Sequence, residues 1–125
     1  MRIANAVVAA LVAALVLVFG VDAAEAQSDM TFRFQSEYKY KAQVKFFSQD
    51  RKGYEWPGGG KAYNLDDSDV HAIKLRCLGG EKICYGGWVT GNAKLYWGVG
   101  ADGQQRCSSC CYTCNGGQTP VIHLK

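Results

Sequence analysis

The residues of this chain best suited to chemistry are its six cysteines, none of which lies before position 77. Two of them flank a short Gly-containing segment, and four form a pair of adjacent C-x-x-C units. In chain order they are Cys77, Cys84, Cys107, Cys110, Cys111 and Cys114. Thiols at this spacing either pair as disulfides in an oxidising compartment or, as thiolates, hold a tetrahedral metal ion such as Zn²⁺. The compartment therefore decides between the two interpretations.

The first 26 residues favour disulfides, because they have the pattern of an export signal. Arg2 gives a positive start, residues 4–21 are almost entirely apolar, and Ala24 and Ala26 are small residues where a signal peptidase cleaves. We therefore predict a signal peptide over residues 1–26, a secreted or periplasmic location, and no stable transmembrane segment after processing. A membrane anchor is the alternative, since an apolar run of about 18 residues is just long enough to span a bilayer.

Export predicts that the six cysteines pair into three disulfides, with no metal site and no cofactor. Sequence alone does not choose among the possible pairings. The segment from Cys77 to Cys84 is typical of a hairpin tip, and opposed hairpin residues lie at disulfide distance, so Cys77–Cys84 is the expected leading bridge. Cys110 and Cys111 would point to opposite faces of an extended segment, so each is expected to pair elsewhere. A metal site built from the clustered cysteines is the main alternative. A redox-active C-x-x-C is the least favoured one, because the thioredoxin-like βαβ context is missing.

Residues 27–125 have the size of one domain, which we predict to be a single disulfide-bonded unit. This part of the chain carries 13 Lys and Arg against 9 Asp and Glu, a net charge of +4. The charge is mild and no nucleic-acid-binding motif accompanies it, so we expect no nucleic-acid partner. A chain this short buries a limited core, and disulfides commonly supply the missing stability.

Alternation of apolar and polar residues predicts strands through most of this domain. From Phe32 to Phe46 nearly all the aromatic and apolar side chains fall on even positions, and charged or polar ones fill the odd positions. A period of two indicates a strand, or a hairpin that keeps register, with one buried face. Gly-rich turns separate four further apolar runs, at 71–77, 83–90, 94–99 and 120–124. The predicted fold class is all-β, a small antiparallel β-sandwich or open barrel stapled by disulfides.

The long loop after the first strand region carries the leading candidate for ligand binding. Trp56 lies there beside Tyr54 and before three glycines, outside any alternating pattern, so its ring could stack on a sugar or dock a partner. The opposing interpretation is that Trp56 folds back and caps the sandwich. The odd face of the first strand region adds a basic row that could attract an anionic surface. This row consists of Arg33, Lys39, Lys41 and Lys45.

The remaining polar residues give weaker signals for chemistry. His71 and His123 are the two histidines, and a lone histidine in a strand is more often a packed or surface residue than a metal ligand. The acidic run at 66–69 lacks the spacing of an EF-hand and is typical of a turn. The chain has no nucleophile elbow, metalloprotease motif or phosphate-binding loop. The carboxylates that could serve as acid or base are Glu37, Glu55 and Glu81. We assign no catalytic residue, and an enzyme is the less favoured class.

Four segments of the chain carry a family resemblance: CLGGEKICYGGW at 77–88, YWGVG at 96–100, the cysteine cluster at 107–114, and Thr119-Pro120. They resemble a family of short exported, cysteine-rich bacterial proteins of unknown function, over about residues 31–124. The resemblance implies export, β structure and disulfides. It implies no activity and no site residues.

These features favour a non-catalytic binding domain that recognises a cell-envelope or extracellular component, with polysaccharide as the expected partner. Trp56, Tyr54 and the basic row are the expected ligand-binding residues. The alternatives are a structural or stress-resistant envelope protein without a small ligand, and a metal-binding or catalytic protein that uses the cysteine cluster or the acidic run.

Overall fold

A computed structural model describes residues 27–125, and the predicted signal peptide lies outside these described residues. Between residues 27 and 125 the chain forms nine strands. The strands are β1 Gln27–Ser36, β2 Ala42–Ser48, β3 Glu55–Trp56, β4 Tyr63–Leu65, β5 Val70–Leu78, β6 Lys82–Val89, β7 Asn92–Gly98, β8 Cys111–Thr113 and β9 Gln118–Leu124. Within this described range no helix is long and apolar enough to cross a membrane.

The strands form two sheets that enclose a common core. In the three-stranded sheet β1 lies in the middle, antiparallel to β5 and parallel to β9. In the six-stranded sheet β2 and β6 pair at the centre, β3 and β4 extend the β2 side, and β7 and β8 extend the β6 side. Neither sheet closes on itself, and the predicted all-β fold stapled by disulfides is confirmed. The parallel pairing of β9 with β1 is a feature that the strand pattern did not indicate.

The alternation from Phe32 to Phe46 predicted the buried face correctly but not the connection. Its two halves are β1 and β2, which belong to different sheets, so the segment 37–41 crosses from one sheet to the other. Even positions face the core from both sides: the rings of Phe32 and Phe46 lie 4.5 Å apart between centroids. Each of these rings is fully buried, and such burial stabilises the fold by about 1.5–3 kcal/mol per side chain.

The crossing segment does not bury the aromatic residues that the alternation placed on the core face. Tyr38 is half-buried and Tyr40 is 55% exposed. Both ends of the segment are fixed by backbone hydrogen bonds, from the Glu37 N–H to the Leu124 carbonyl at 2.8 Å and from the Thr90 N–H to the Lys41 carbonyl at 2.8 Å. The segment is therefore a fixed connection at one end of the sandwich.

Three disulfides link the six cysteines, as expected: Cys77–Cys114, Cys84–Cys111 and Cys107–Cys110. The expected bridge between Cys77 and Cys84 is wrong. The two residues lie on β5 and β6, which belong to different sheets, so they are not opposed on a hairpin. Cys84 instead lies directly opposite Cys111 in the β6–β8 ladder, with their Cα atoms 3.9 Å apart. Adjacent Cys110 and Cys111 each pair elsewhere, as predicted.

A buried carboxylate holds the turn between β5 and β6. Glu81 accepts hydrogen bonds from the Nε and Nη2 atoms of Arg51 at 2.6 and 2.8 Å, from the Ser48 hydroxyl at 2.6 Å and from the Leu78 N–H at 3.0 Å. Its backbone carbonyl also accepts the Cys114 N–H at 2.8 Å. This residue therefore joins the loop after β2, the β5–β6 turn and the segment after β8.

The segment between β7 and β8 folds over the outer face of the six-stranded sheet. A Cβ atom built on Gly86 of β6 would overlap the carbonyl oxygen of Gly100, and one built on Gly103 would lie 2.7 Å from the ring of Phe47. Only glycine at position 86 permits this close approach of two backbones. Val99 and Cys110 of the segment are buried against Cys84 of β6, and the three form a second, smaller core.

Candidate functional site

Trp56 is part of the core, which supports the opposing interpretation of this residue. Its side chain is 7% exposed, and its indole N–H donates a hydrogen bond to the Arg76 carbonyl at 2.9 Å. The Tyr54 ring packs edge-on against it, with centroids 4.9 Å apart. Neither face of the indole is open to a ligand. Tyr54 and Trp56 therefore do not form a joint stacking surface.

Tyr54 is exposed, but one face of its ring is already occupied. The Arg51 guanidinium lies 3.7 Å from the ring centroid in a cation–π contact, and Glu81 holds that guanidinium in place. Tyr54 is 44% exposed and keeps one side open to solvent. It is a less complete platform than the sequence suggested.

The four basic candidates do not share one surface. Arg33 lies on the outer face of the three-stranded sheet, where its Nε donates to the Thr119 carbonyl at 2.9 Å. Lys45 lies on the outer face of the six-stranded sheet and pairs with Glu55 at 3.1 Å. Lys39 and Lys41 lie between them, in the crossing segment, and are exposed. The row was predicted from one continuous alternation, and the change of sheet within it separates its members.

The crossing segment brings together an aromatic cluster that the sequence reasoning did not identify. Tyr38 contacts Tyr40 at 5.9 Å between ring centroids and the Trp97 ring edge-on at 5.4 Å. The Trp97 indole N–H donates to the Lys125 carbonyl at 2.9 Å. Tyr40 is the outermost ring of the cluster, and the Lys39 Nζ lies 5.2 Å from its centroid. The break in hydrophobicity at Ser36-Glu37, followed by two tyrosines, was the available signal.

A cavity of about 290 Å³ lies beside this cluster, and we call it the end pocket. Residues 38–41 line one side and residues 66–68 the other, with Ser36 and Leu65 also in its wall. Two lysines, two tyrosines and two aspartates thus surround one concave site. Its size is near the lower bound of small-molecule sites.

The acidic side of the end pocket is a structured turn. The Asp67 carboxylate accepts the Asp69 N–H at 2.9 Å and pairs with the His71 Nε2 at 2.7 Å. The hydrogen bond from His71, aided by that from the Asp69 backbone, lowers the pKa of Asp67 below its ordinary value. Gln35 donates to the Ser68 carbonyl at 3.1 Å and ties the turn to β1. These contacts agree with the predicted turn and keep Asp67 ionised beside the two lysines.

Glu81, one of the carboxylates considered for acid–base chemistry, is stabilised in its ionised form by its hydrogen-bond partners. Desolvation by itself would raise its pKa, but the hydrogen bonds from Arg51, Leu78 and Ser48 outweigh that effect and leave the pKa below its ordinary value. The same hydrogen bond with Glu81 raises the pKa of Arg51. These contacts favour the charged forms of Arg51 and Glu81, so the pair stabilises the fold. Glu55 forms an ion pair with Lys45, and Glu37 lies 3.1 Å from the Nδ1 atom of His123.

Among the described residues, one group of metal-type ligands comes together. The Sγ atoms of Cys84, Cys110 and Cys111 all lie within 4.8 Å of one another. Each of these sulfurs is in a disulfide, and no cysteine of residues 27–125 is free. Since the thiolate is the metal ligand, this oxidised arrangement does not provide a thiolate site. His71 and His123 each contact a carboxylate, at 2.7 and 3.1 Å.

Comparison of the chain with protein-family models, with curated proteins and with solved structures finds no match in any of the three.

Proposed function

We propose that this protein is a non-catalytic binding domain that recognises a polysaccharide of the cell envelope at the end pocket. The observation that carries the proposal is the position of Tyr40. The residue is 55% exposed at the rim of a cavity, yet its segment is fixed at both ends. An exposed aromatic on a fixed segment can bind a ligand with little loss of conformational freedom.

The chemistry of the end pocket suits a carbohydrate. Flat aromatic faces such as that of Tyr40 offer apolar contact to the C–H face of a sugar ring, and the tyrosine hydroxyl adds a polar contact. The carboxylate of Asp66 and the backbone around Ser68 offer polar partners to sugar hydroxyls. Lys39 and Lys41 add positive charge, which favours a sugar that carries a carboxylate or another acidic group.

The expected location agrees with this ligand class. The predicted signal peptide directs the chain out of the cytoplasm, and three disulfides are compatible with an oxidising compartment. Envelope polysaccharides are the abundant surface that a secreted or periplasmic domain meets there. A structural envelope protein without a small ligand is the alternative function, and retention experiments distinguish the two.

Affinity electrophoresis of the purified exported protein tests the proposal. The gels would contain polygalacturonate as the acidic probe and dextran as the uncharged one, and a sedimentation assay would use isolated peptidoglycan. We expect retardation by polygalacturonate that weakens with salt, because salt screens the exposed lysines. Replacement Tyr40→Ala should weaken binding by about 2 kcal/mol, the scale of an aromatic hot spot, or a roughly 30-fold rise in Kd.

The matched control is Tyr96→Ala. Tyr96 is 45% exposed but lies on β7, away from the residues that line the end pocket, so its loss should leave retardation unchanged. Circular dichroism of both variants checks that each is folded. If the parent protein is retained by none of the three probes, the binding function is wrong and the structural alternative stands. If Tyr40→Ala binds as the parent does, the site is wrong.

A further inference from the structure

Four of the six cysteines form a compact unit on the outer face of the six-stranded sheet. We call it the outer cysteine cluster, and it consists of the Cys84–Cys111 and Cys107–Cys110 bridges. The third bridge, Cys77–Cys114, is separate from it: both of its residues belong to the main core, 3% and 1% exposed. The six cysteines are therefore divided into one core bridge and one bridge pair near the surface.

The Cys107–Cys110 bridge is asymmetric in exposure. Cys107 is exposed and lies between Arg106 and Ser108, in a segment without strand structure, whereas Cys110 is 1% exposed. Thiol–disulfide exchange requires that an attacking thiolate reach one sulfur of the bond, and here the reachable sulfur belongs to Cys107. The charge of the neighbouring Arg106 favours a thiolate at this position once the bond opens.

The buried end of this bridge touches the second bridge. The Sγ atoms of Cys110 and Cys111 lie 3.9 Å apart, and Cys84 Sγ lies within 4.8 Å of both. A thiolate formed on Cys110 would thus be in contact with the Cys84–Cys111 disulfide. The sulfur of Cys107 does not belong to this close group.

We propose that the outer cysteine cluster is a thiol–disulfide exchange site that oxidises an exposed dithiol through Cys107 and passes the exchange inward through Cys110. The dithiol's first thiolate attacks the Cys107 Sγ, the Cys107–Cys110 bond breaks, and Cys110 leaves as a thiolate. The dithiol's second thiolate then attacks the substrate sulfur of the mixed disulfide, and Cys107 leaves as a thiolate. The dithiol is oxidised to a disulfide, and the two cysteines are reduced.

The inward step is an isomerisation that needs no further reductant. The Cys110 thiolate attacks one sulfur of the Cys84–Cys111 bond, forms a new disulfide there, and releases the other cysteine as a thiolate. The number of disulfides is unchanged, and the thiol moves beneath the segment 99–110. The substrate is a dithiol small or flexible enough to reach Cys107, such as a pair of reduced cysteines in an unfolded exported chain.

The first experiment measures the order in which the bridges of the native protein are reduced. The protein is treated with limiting dithiothreitol, the thiols are alkylated, and the labelled cysteines are located by peptide mass mapping. We expect early label at Cys107, with the second label shared among Cys110, Cys84 and Cys111 because of the inward step. Both labels should appear at least about tenfold sooner than label at Cys77 and Cys114, since access controls exchange. Label that arrives first at the core bridge, or at all three bridges together, overturns the proposed exchange site.

The second experiment uses the matched pair Cys107→Ser and Cys110→Ser to test the inward step. Each variant leaves one unpaired thiol, on Cys110 in the first and on Cys107 in the second. In the first we expect label to be shared among Cys110, Cys84 and Cys111, because their sulfurs are in contact. In the second we expect label at Cys107 alone. A label confined to Cys110 in the first variant, or spread equally in both, shows that the inward step is wrong.

Discussion

Replacement of the buried carboxylate by its amide, Glu81→Gln, should cost the domain about 3 kcal/mol of unfolding free energy. The carboxylate accepts four hydrogen bonds, two of them from Arg51 and one each from Ser48 and Leu78. An amide of the same shape keeps one accepting oxygen and places an N–H toward the remaining donors. Each hydrogen bond to a charged group contributes about 1.5–3 kcal/mol, and breaking a buried ion pair costs about 3–5 kcal/mol. The lower value applies because the Arg51 side chain is 31% exposed and regains some solvation.

Urea denaturation followed by circular dichroism measures this cost. With a slope of about 1.5 kcal/mol per molar urea for a domain of this size, the midpoint should fall by about 2 M. The control is Glu37→Gln, the same chemical change in a pair with His123 that is largely open to solvent. Exposed pairs contribute about 0–1 kcal/mol, so that midpoint should barely move. Equal changes in midpoint for the two variants would refute the claim that Glu81 stabilises the fold by holding the β5–β6 turn.

The pH dependence gives a second test with a definite sign. The pKa of Glu81 is lower in the folded protein than its ordinary value of 4.5. The stabilisation is therefore fully present above pH 4.5 and is lost as the pH falls through the folded pKa, when the folded protein also takes up the proton. The difference between the parent and Glu81→Gln should shrink in that window. A difference that stays constant from neutral to acidic pH contradicts the reasoning.

Two further predictions concern the disulfides and the contact of the segment 99–110 with β6. Removal of the core bridge by Cys77→Ser with Cys114→Ser should cost about 4 kcal/mol, because its sequence separation is 37. Removal of the Cys107–Cys110 bridge, with a separation of 3, should cost about 2 kcal/mol. Urea midpoints measure both losses of unfolding free energy. Similar losses for both would contradict the loop-closure account. Gly86→Ala should push the Gly100 backbone away from β6, cost about 1–3 kcal/mol, and make the segment 99–110 sensitive to limited proteolysis. An unchanged cleavage rate would show that the segment does not depend on that approach.

The strands of this fold were largely predictable from the sequence, because burial of alternate side chains is a local pattern. Phe32 and Phe46 lie on the predicted face, and both are fully buried. The assignment of each strand to a sheet was not predictable, because alternation is the same whether a chain turns within a sheet or crosses to the facing one. That single ambiguity explains the wrong Cys77–Cys84 bridge and the dispersal of Arg33 and Lys45 to opposite faces.

The exposure of the candidate site residues was also not predictable from local pattern. Trp56 has no alternating neighbours, yet it packs into the main core and donates its indole N–H to the Arg76 carbonyl, twenty positions away in sequence. Tyr40 sits at an even position, and its exposure follows from the change of sheet in the segment 37–41. In both cases the sequence indicated an aromatic residue, but only the packing of distant strands determines whether the ring faces solvent or core.

The residues that hold the sheets together lie outside the two proposed sites, and the two sites lie in different segments. The two proposals can therefore be tested independently of each other. Tyr40 lies in the connection that crosses between the sheets, and Cys107 lies in the segment that covers the outer face of the six-stranded sheet. The residues that hold the sheets together, Glu81 and the core bridge to Cys77, belong to neither segment. Changes at Tyr40 or Cys107 should therefore alter binding or exchange in a folded protein. Glu81→Gln should lower the folded fraction and leave the affinity of the folded molecules unchanged.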